Sequence, residues 1–88
     1  MDNGIDSIIE KLREILINDI GLSLQPSDID PEAGLASVLG VDSIGFIELR
    51  YQCEEKFGIR IADSDFTPAN FSTCSALAAF VAGKAPVH

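Results

Sequence analysis

The chain contains 88 residues, of which 47% are hydrophobic and 23% are charged. This is enough apolar material for one small domain with its own core, and too much for an intrinsically disordered chain. Its 14 acidic and 6 basic side chains give a net charge of −8, which disfavours nucleic acid as a partner and favours partners that carry basic patches. We see no apolar run of transmembrane length and no basic segment of a secretory signal, so we expect a cytoplasmic protein.

The first predicted element is an amphipathic helix. Its apolar residues recur at the spacing of one helical face: Ile5, Ile8, Ile9, Leu12, Ile15, Leu16 and Ile20. Asp2 or Asn3 can cap its start, and Gly21 can end it. The polar face is not rich in lysine and arginine, so the pattern favours packing on a core over binding to a membrane surface.

A long connection follows, from Gly21 to Asp42, with two prolines and several glycines. A loop of this length without structure of its own is unusual in a compact domain unless it is functional or anchored. We expect a short turn of helix near residues 35–39 and apolar anchors on the core at Leu22, Leu24, Ile29, Leu35, Val38 and Leu39.

The main helix is predicted from about Ser43 to Phe57. Four apolar residues at steps of three and four form its buried stripe: Phe46, Leu49, Cys53 and Phe57. Gly58 stands where a C-terminal glycine should end a helix. Ser43 therefore lies at a helix N-terminus, where N–H groups and the helix dipole favour an attached phosphate.

The rest of the chain predicts shorter elements. Ile59 and Ile61 alternate with Arg60, and without a partner strand we interpret them as an extended segment on the core. A loop over 63–65 and a short third helix over 66–70 come next. Ser72 or Thr73 can then cap a last helix that ends at Gly83 and packs through Leu77, Phe80 and Val81.

The cysteines and the histidine provide no catalytic or metal chemistry. Cys53 and Cys74 both stand in apolar helical patterns, which favours two buried free thiols over a disulfide. His88 is the only histidine, so no cluster has metal-ligand spacing and Ser43 has no partner base for a hydrolase triad.

The stretch from Gly40 to Gly58 resembles the modification site of the acyl carrier proteins. In that family an Asp-Ser-Leu or Asp-Ser-Ile motif begins the second helix, and glutamates and a Glu-Glu-x-Phe-Gly ending follow it. The matching segments here are Asp42-Ser43-Ile44, Glu48 and Glu54-Glu55-Lys56-Phe57-Gly58. The resemblance implies an all-α fold: a small four-helix bundle with a long loop between helices one and two and a short helix three. It assigns residues 1–83 to one monomeric carrier domain and 84–88 to a flexible tail.

The same resemblance implies a carrier rather than an enzyme. A separate phosphopantetheinyl transferase would move 4′-phosphopantetheine from coenzyme A onto Ser43, and acyl groups would be held on the arm as thioesters. Asp42 would orient the serine or help to hold Mg²⁺ during modification. From the residues alone, Ser43 could equally be a plain N-cap and Asp42 a capping carboxylate.

The resemblance also implies a docking surface for partner enzymes with basic patches. Its acidic positions would be Glu48, Glu54 and Glu55, and its apolar centre Ile44, Ile47 and Tyr51. The residues leave open that the apolar three instead extend the core.

Gly45, Arg50 and Arg60 depart from the fatty-acid carrier pattern, since Gly45 replaces a usual aspartate and the arginines add positive charge. These departures favour a dedicated set of partners in specialised, polyketide-like or hybrid biosynthesis. Two alternatives stay open: a free-standing peptidyl or D-alanyl carrier, and a small acidic interaction module without a prosthetic group.

Overall fold

The computed structural model describes residues 4–84, and its α-helices are α1 (Gly4–Asn18), α2 (Ser43–Phe57) and α3 (Cys74–Gly83). Two short 3₁₀ turns, Pro26–Asp28 and Asp63–Asp65, lie in the connections. Over the described range there is no β-strand, only an isolated bridge between Gly34 and Thr73. The all-α prediction is confirmed, and no helix in this range is long and apolar enough to cross a membrane.

The helix ends follow local rules. Gly58 ends α2 with a φ of 63°, a left-handed conformation that glycine adopts without strain. Thr73 caps α3 by accepting a hydrogen bond from the Ala76 N–H at 3.0 Å, as one of the two predicted caps should. The predicted caps of α1, Asp2 and Asn3, lie outside the described residues.

One apolar core joins the three helices and the long loop. α1 packs mainly against α3, and α1 contributes Leu12, Ile15 and Leu16 to the buried interior. The remaining members of its predicted stripe, nearer the two ends, are only partly buried. Ile59 and Ile61 are buried in an extended segment with no strand partner, which confirms their predicted conformation.

The long loop between α1 and α2 is anchored by two fully buried side chains, Ile29 and Leu35. Backbone bonds then connect it to the start of α3: Leu35 N–H donates to Ser72 O at 2.9 Å, and Ser75 N–H donates to Pro31 O at 3.0 Å. The loop is therefore anchored to the rest of the domain, although it contains little regular structure.

Two predicted loop anchors are wrong. Leu24 and Val38 are exposed, whereas Leu22 and Leu39 are partly buried. Residues 35–39 form a single turn, in which Val38 and Leu39 N–H both donate to Gly34 O at 3.0 Å. Leu35 and Leu39 lie four positions apart and share the inner face of this turn, which leaves Val38 outward.

The short third helix predicted for 66–70 is not an α-helix. Asp63–Asp65 form a 3₁₀ turn, and the following residues form one further turn in which Phe71 N–H donates to Thr67 O at 3.0 Å. Pro68 lies in the first turn, where helices tolerate proline, but Thr73 is the extended N-cap of α3 and leaves room for only one turn before it. The described residues thus contain three α-helices, and turns occupy the place of the short fourth one.

Lys84, assigned from the sequence to the tail, is held against the domain. Its Nζ lies 2.9 Å from Asp65 Oδ2 and 5.6 Å from the centre of the Phe80 ring. This pair lowers the pKa of Asp65, chiefly through the hydrogen bond from Lys84. Residues 85–88, the rest of the predicted tail, lie outside the described residues.

Candidate functional site

At the N-terminus of α2, the capping residue and the exposed serine are two adjacent but different residues. Asp42 is the N-cap: its Oδ1 accepts a hydrogen bond from the Gly45 N–H at 2.7 Å, and its carbonyl accepts from the Phe46 N–H at 2.9 Å. Ser43 is the first residue of the helix, is exposed, and forms no side-chain hydrogen bond with the described residues. The interpretation of Ser43 as an N-cap is therefore wrong, and its hydroxyl is free.

This position suits a phosphate ester. The first-turn N–H groups and the positive end of the helix dipole favour negative charge there, and the exposed hydroxyl leaves room for a group attached to its oxygen. The nearest acid, Asp42, is already engaged by the Gly45 N–H. No side chain of the described residues is hydrogen-bonded to the Ser43 hydroxyl, and the sequence has no histidine before His88.

Gly45 is closely packed at this terminus. A Cβ atom at this position would lie 3.0 Å from Val41 Cγ1, 3.2 Å from Asp42 Oδ1 and 3.5 Å from Ile20 Cγ2. Val41 is buried, so it has little freedom to move away. A larger residue at this position would therefore need its neighbours to shift, which the sequence pattern alone did not reveal.

The three apolar residues of the predicted docking surface are solvent-exposed. Ile44 is 77% exposed, Ile47 61% and Tyr51 54%. Their spacing of three and four places them on one side of α2, opposite the buried Leu49 and Cys53. The alternative in which they extend the core is therefore wrong.

The three predicted acidic residues differ in their surroundings. Glu54 Oε2 accepts a hydrogen bond from the Ile61 N–H at 2.8 Å, so this carboxylate fastens the extended segment to α2. Glu48 accepts from the Gln52 amide at 2.7 Å and is partly exposed. Glu55 is exposed, which leaves Glu48 and Glu55 as the acidic groups most available to a partner.

Arg50 points away from this surface. Its Nη2 donates to the Ile61 carbonyl at 2.6 Å and lies 3.0 Å from Asp63 Oδ1, and its guanidinium stacks 5.1 Å from the centre of the Phe66 ring. It is therefore a tie between α2 and the following segment, and it adds no charge to the docking side. Arg60 is exposed.

A groove of about 790 Å³ opens beside Ser43, and sequence reasoning did not find it. One side is α2, with Ser43, Phe46 and Ile47, and the other side is the loop joined to the start of α3. Phe66, Pro68 and Phe71 complete it. The two phenylalanines at 66 and 71 were a possible sequence signal of such a groove, but only the fold brings them close to Ser43.

The two cysteines are buried free thiols, as predicted. Burial raises the pKa of the Cys53 thiol to about 12, with further contributions from Cys74 and Glu54. Burial also raises the pKa of Cys74 to about 11, although Arg13 opposes the rise. Neither thiol is a nucleophile near neutral pH. Among residues 4–84, no group of histidine, cysteine and acidic side chains could hold a metal ion.

Comparison with known proteins gives consistent results. A family model described as the phosphopantetheine attachment site matches residues 10–81. An acyl carrier protein of Solidesulfovibrio magneticus is 36% identical over 59 residues, covering 67% of this chain and 73% of the relative.

Two solved structures are similar in fold. A holo acyl carrier protein of Nitrosomonas europaea superposes with a TM-score of 0.72 at 24% identity, over 84% of this chain and 90% of that one. The glycylated carrier protein bound to the Bradyrhizobium japonicum glycine:[carrier protein] ligase is another structure, with a TM-score of 0.64 and 28% identity over 85% and 95% of the two chains.

Proposed function

The chain belongs to the acyl carrier protein family, whose members carry 4′-phosphopantetheine, and on this premise we propose that Ser43 is the residue to which the arm is attached. The observation that carries the proposal is the exposed, unbonded Ser43 hydroxyl at the first position of α2, with Asp42 as the cap. The family consists of carriers rather than catalysts. The alternative of an interaction module without a prosthetic group is not retained, because the family model matches residues 10–81.

Modification requires Ser43 only as an accessible acceptor. Its Oγ forms a bond to the phosphorus nearest the pantetheine of coenzyme A, the pyrophosphate bond breaks, and adenosine bisphosphate leaves. The serine proton passes to a base of the transferase, because no side chain among residues 4–84 is hydrogen-bonded to the Ser43 hydroxyl. Once attached, the arm supplies a thiol that holds acyl groups as thioesters. Asp42 fixes the helix terminus and orients Ser43 toward solvent.

Partner enzymes are proposed to dock on the exposed side of α2. Ile44, Ile47 and Tyr51 form an apolar centre of the kind found in the buried part of an interface. Glu48 and Glu55 add acidic groups beside this centre, and the whole chain has a net charge of −8. Both features match basic patches on a transferase and on loading or synthase enzymes. Glu54 takes a smaller part, since it is bonded to Ile61.

We further propose a specialised biosynthetic role in the cytoplasm, with this chain acting as a monomer. Two departures support a dedicated set of partners: Gly45 removes the usual acid from the first turn of α2, and the exposed Arg60 adds positive charge just beyond the other end of this helix. Arg50 no longer supports it, since it is bonded to Ile61 and Asp63.

Aminoacyl loading is a second candidate. The solved relative at 28% identity is a glycylated carrier protein, which makes an amino acid a cargo to be tested beside acyl groups. Incubation of the holo protein with acyl- and aminoacyl-activating ligases, followed by intact mass, distinguishes the two.

The attachment proposal is tested by intact mass after incubation with coenzyme A, Mg²⁺ and a promiscuous phosphopantetheinyl transferase. We expect wild type and Ser72→Ala to gain one phosphopantetheinyl unit and Ser43→Ala to gain none. Ser72 is the matched control because it is an exposed serine lining the same groove. A gain by Ser43→Ala, or no gain by folded wild type, would contradict the proposal.

A further inference from the structure

A second cavity, of about 410 Å³, lies between the end of α1 and the first two turns of α2, and we call it the α1–α2 cleft. Ile20 and Leu22 line it from the residues just after α1. Ile44 and Gly45 line it from α2, and Gly45 has no side chain to fill it. Because Ile44 is also 77% exposed and part of the proposed docking surface, the α1–α2 cleft is continuous with that surface.

Three carboxylates also line the α1–α2 cleft, whereas no lysine or arginine of the described residues does: Asp19, Asp42 and Glu48. Asp42 accepts the Gly45 N–H through Oδ1, and Glu48 accepts the Gln52 amide through Oε2. The other oxygen of each forms no hydrogen bond with residues 4–84, so it can accept one from a partner. The cleft therefore combines an apolar lining with acceptors for the N–H groups of a cation.

Asp19 occupies a place that helix stability does not explain. It follows directly on Asn18, the last residue of α1, where the negative end of the helix dipole disfavours a carboxylate. Its side chain is only 26% exposed and forms no hydrogen bond with the described residues. Lys56 Nζ lies 3.9 Å from its Oδ2, at the outer limit of an ion pair. An acid that breaks a local rule without compensation within the domain points to a role toward a partner.

An arginine side chain matches this lining. Its methylene stem packs on apolar surface while its head stays among polar groups. The guanidinium presents several N–H groups in one plane, so it can bond to carboxylates on two sides of a cleft. It is also more weakly hydrated than a lysine ammonium, which lowers the cost of entering a partly apolar cavity.

We propose that the α1–α2 cleft receives an arginine of the phosphopantetheinyl transferase, whose guanidinium is bound by Asp19 and Glu48. The inference rests on the proposed function, because the transferase must approach Ser43, and Asp42, the residue before it, lines the cleft. The docking surface then extends from α2 to the end of α1. Asp19 supplies from α1 the negative charge that Gly45 does not supply from α2.

The first test compares Asp19→Asn with Glu14→Gln, which removes the same charge from an exposed residue of α1 outside the cleft. The measured quantity is kcat/KM for transfer of phosphopantetheine from coenzyme A, followed by intact mass. We expect Asp19→Asn to lower it about five- to tenfold, between the effects of exposed and buried ion pairs, and Glu14→Gln less than about twofold. The loss for Asp19→Asn should shrink as salt is added.

Stability should separate this role from a structural one. Asp19→Asn removes a charge that the helix dipole disfavours and only a long, exposed ion pair, so its urea midpoint should equal or exceed that of wild type. A lower midpoint together with the lower rate would assign Asp19 a structural role and overturn the inference. Equal rates for Asp19→Asn and Glu14→Gln would also overturn it.

The second test identifies the partner side chain. Each arginine and lysine around the active-site entrance of the transferase is replaced in turn by alanine, and every variant is assayed with wild type and Asp19→Asn. One arginine variant should make Asp19→Asn nearly silent, within about twofold. Coupling to a lysine, or to no residue, would overturn the inference. Failure of the proposed function is distinguishable, because then folded wild type gains no mass at all.

Discussion

Two adjacent side chains at the start of α2 have separate roles. Asp42 satisfies a first-turn N–H group, and this leaves the Ser43 hydroxyl free for attachment. If Ser43 were the cap, its oxygen would be turned toward the helix and less available to a transferase. The exposure of the proposed attachment residue thus depends on the residue before it.

Asp42 variants should separate stability from modification. Asp42→Ala should lower the free energy of unfolding by about 1 kcal/mol, because the cap is lost, whereas Asp42→Asn should keep most of the stability. If the carboxylate also helps to hold Mg²⁺, Asp42→Asn should still slow modification of Ser43. Urea unfolding and the transferase rate measure the two effects. An unchanged rate for Asp42→Asn would leave capping as the only role of Asp42.

Gly45 should resist replacement despite lying in a helix. Alanine normally stabilises a helical position over glycine by up to about 1 kcal/mol, but here its Cβ would lie 3.0 Å from Val41 Cγ1. We expect Gly45→Ala to lose this gain and Gly45→Asp to destabilise the protein by about 1–3 kcal/mol through overpacking. Gly83→Ala is the control, because a Cβ there meets no atom within 4 Å. Urea unfolding in which Gly45→Asp matches wild type would contradict the packing argument.

Among the elements, α2 has one set of polar side chains that hydrogen-bond to the segment after it and another set of side chains that is exposed to solvent. Glu54 and Arg50 both connect α2 to Ile61, one through its N–H and the other through its carbonyl. Ile44, Ile47 and Tyr51 have no such role and are exposed. The helix therefore fixes the segment after it through one set of polar side chains and presents another set to solvent.

Arg50→Met should lower the free energy of unfolding by about 1–3 kcal/mol, because the Ile61 carbonyl loses a charged donor. Asp63→Asn should cost less than about 1 kcal/mol, since the Asp63 side chain is 98% exposed and exposed ion pairs contribute little. Urea unfolding of both variants checks the order. Equal losses would mean that the ion pair, and not the carbonyl bond, connects the two segments.

Ile44→Ala and Tyr51→Ala should each lower kcat/KM for modification by a transferase roughly tenfold, as truncation of an interface centre does. Their unfolding free energies should stay within about 0.5 kcal/mol of wild type, because both side chains are exposed. Leu24→Ala is the matched control, an exposed apolar residue in the long loop. A loss of the same size for Leu24→Ala would remove the argument for a docking surface on α2.

At the scale of the whole molecule, the core buries both cysteine thiols, so that they do not compete with the thiol of the proposed arm. Cys53 and Cys74 are buried among the helices, while the proposed arm thiol would extend from the surface at Ser43. A carrier with reactive cysteines of its own could accept acyl groups or oxidise with its arm. Burial prevents both, because it blocks access and favours the neutral thiol.

Iodoacetamide at pH 8 should therefore leave the native apo protein unmodified and alkylate the holo protein once, on the arm. In urea the counts should rise to two and three, for the two cysteines and the arm. The pKa of Cys53 rises from 9.0 to about 12 on folding, so its contribution to stability is present below pH 9 and is lost as the pH increases toward 12. Alkylation of native apo protein would contradict the burial of the thiols.

The three α-helices and the family could be predicted from the sequence, and so could the serine proposed here as the attachment residue. Periodicity predicted α1, α2 and the last helix, Gly58 predicted the end of α2, and the Asp42-Ser43-Ile44 motif within this pattern indicated the family. These features depend on residues within a turn or two of one another, which a linear pattern records.

Only the tertiary structure decided which residues cap, which are exposed and which connect separate segments. It assigned the cap to Asp42, turned Val38 and Leu24 outward, and directed Arg50 and Glu54 to Ile61. It also brought Phe66 and Phe71 to Ser43 as the wall of a groove. Each of these depends on contacts between segments far apart in the chain, whose partners are set by the packing of the core and not by local spacing.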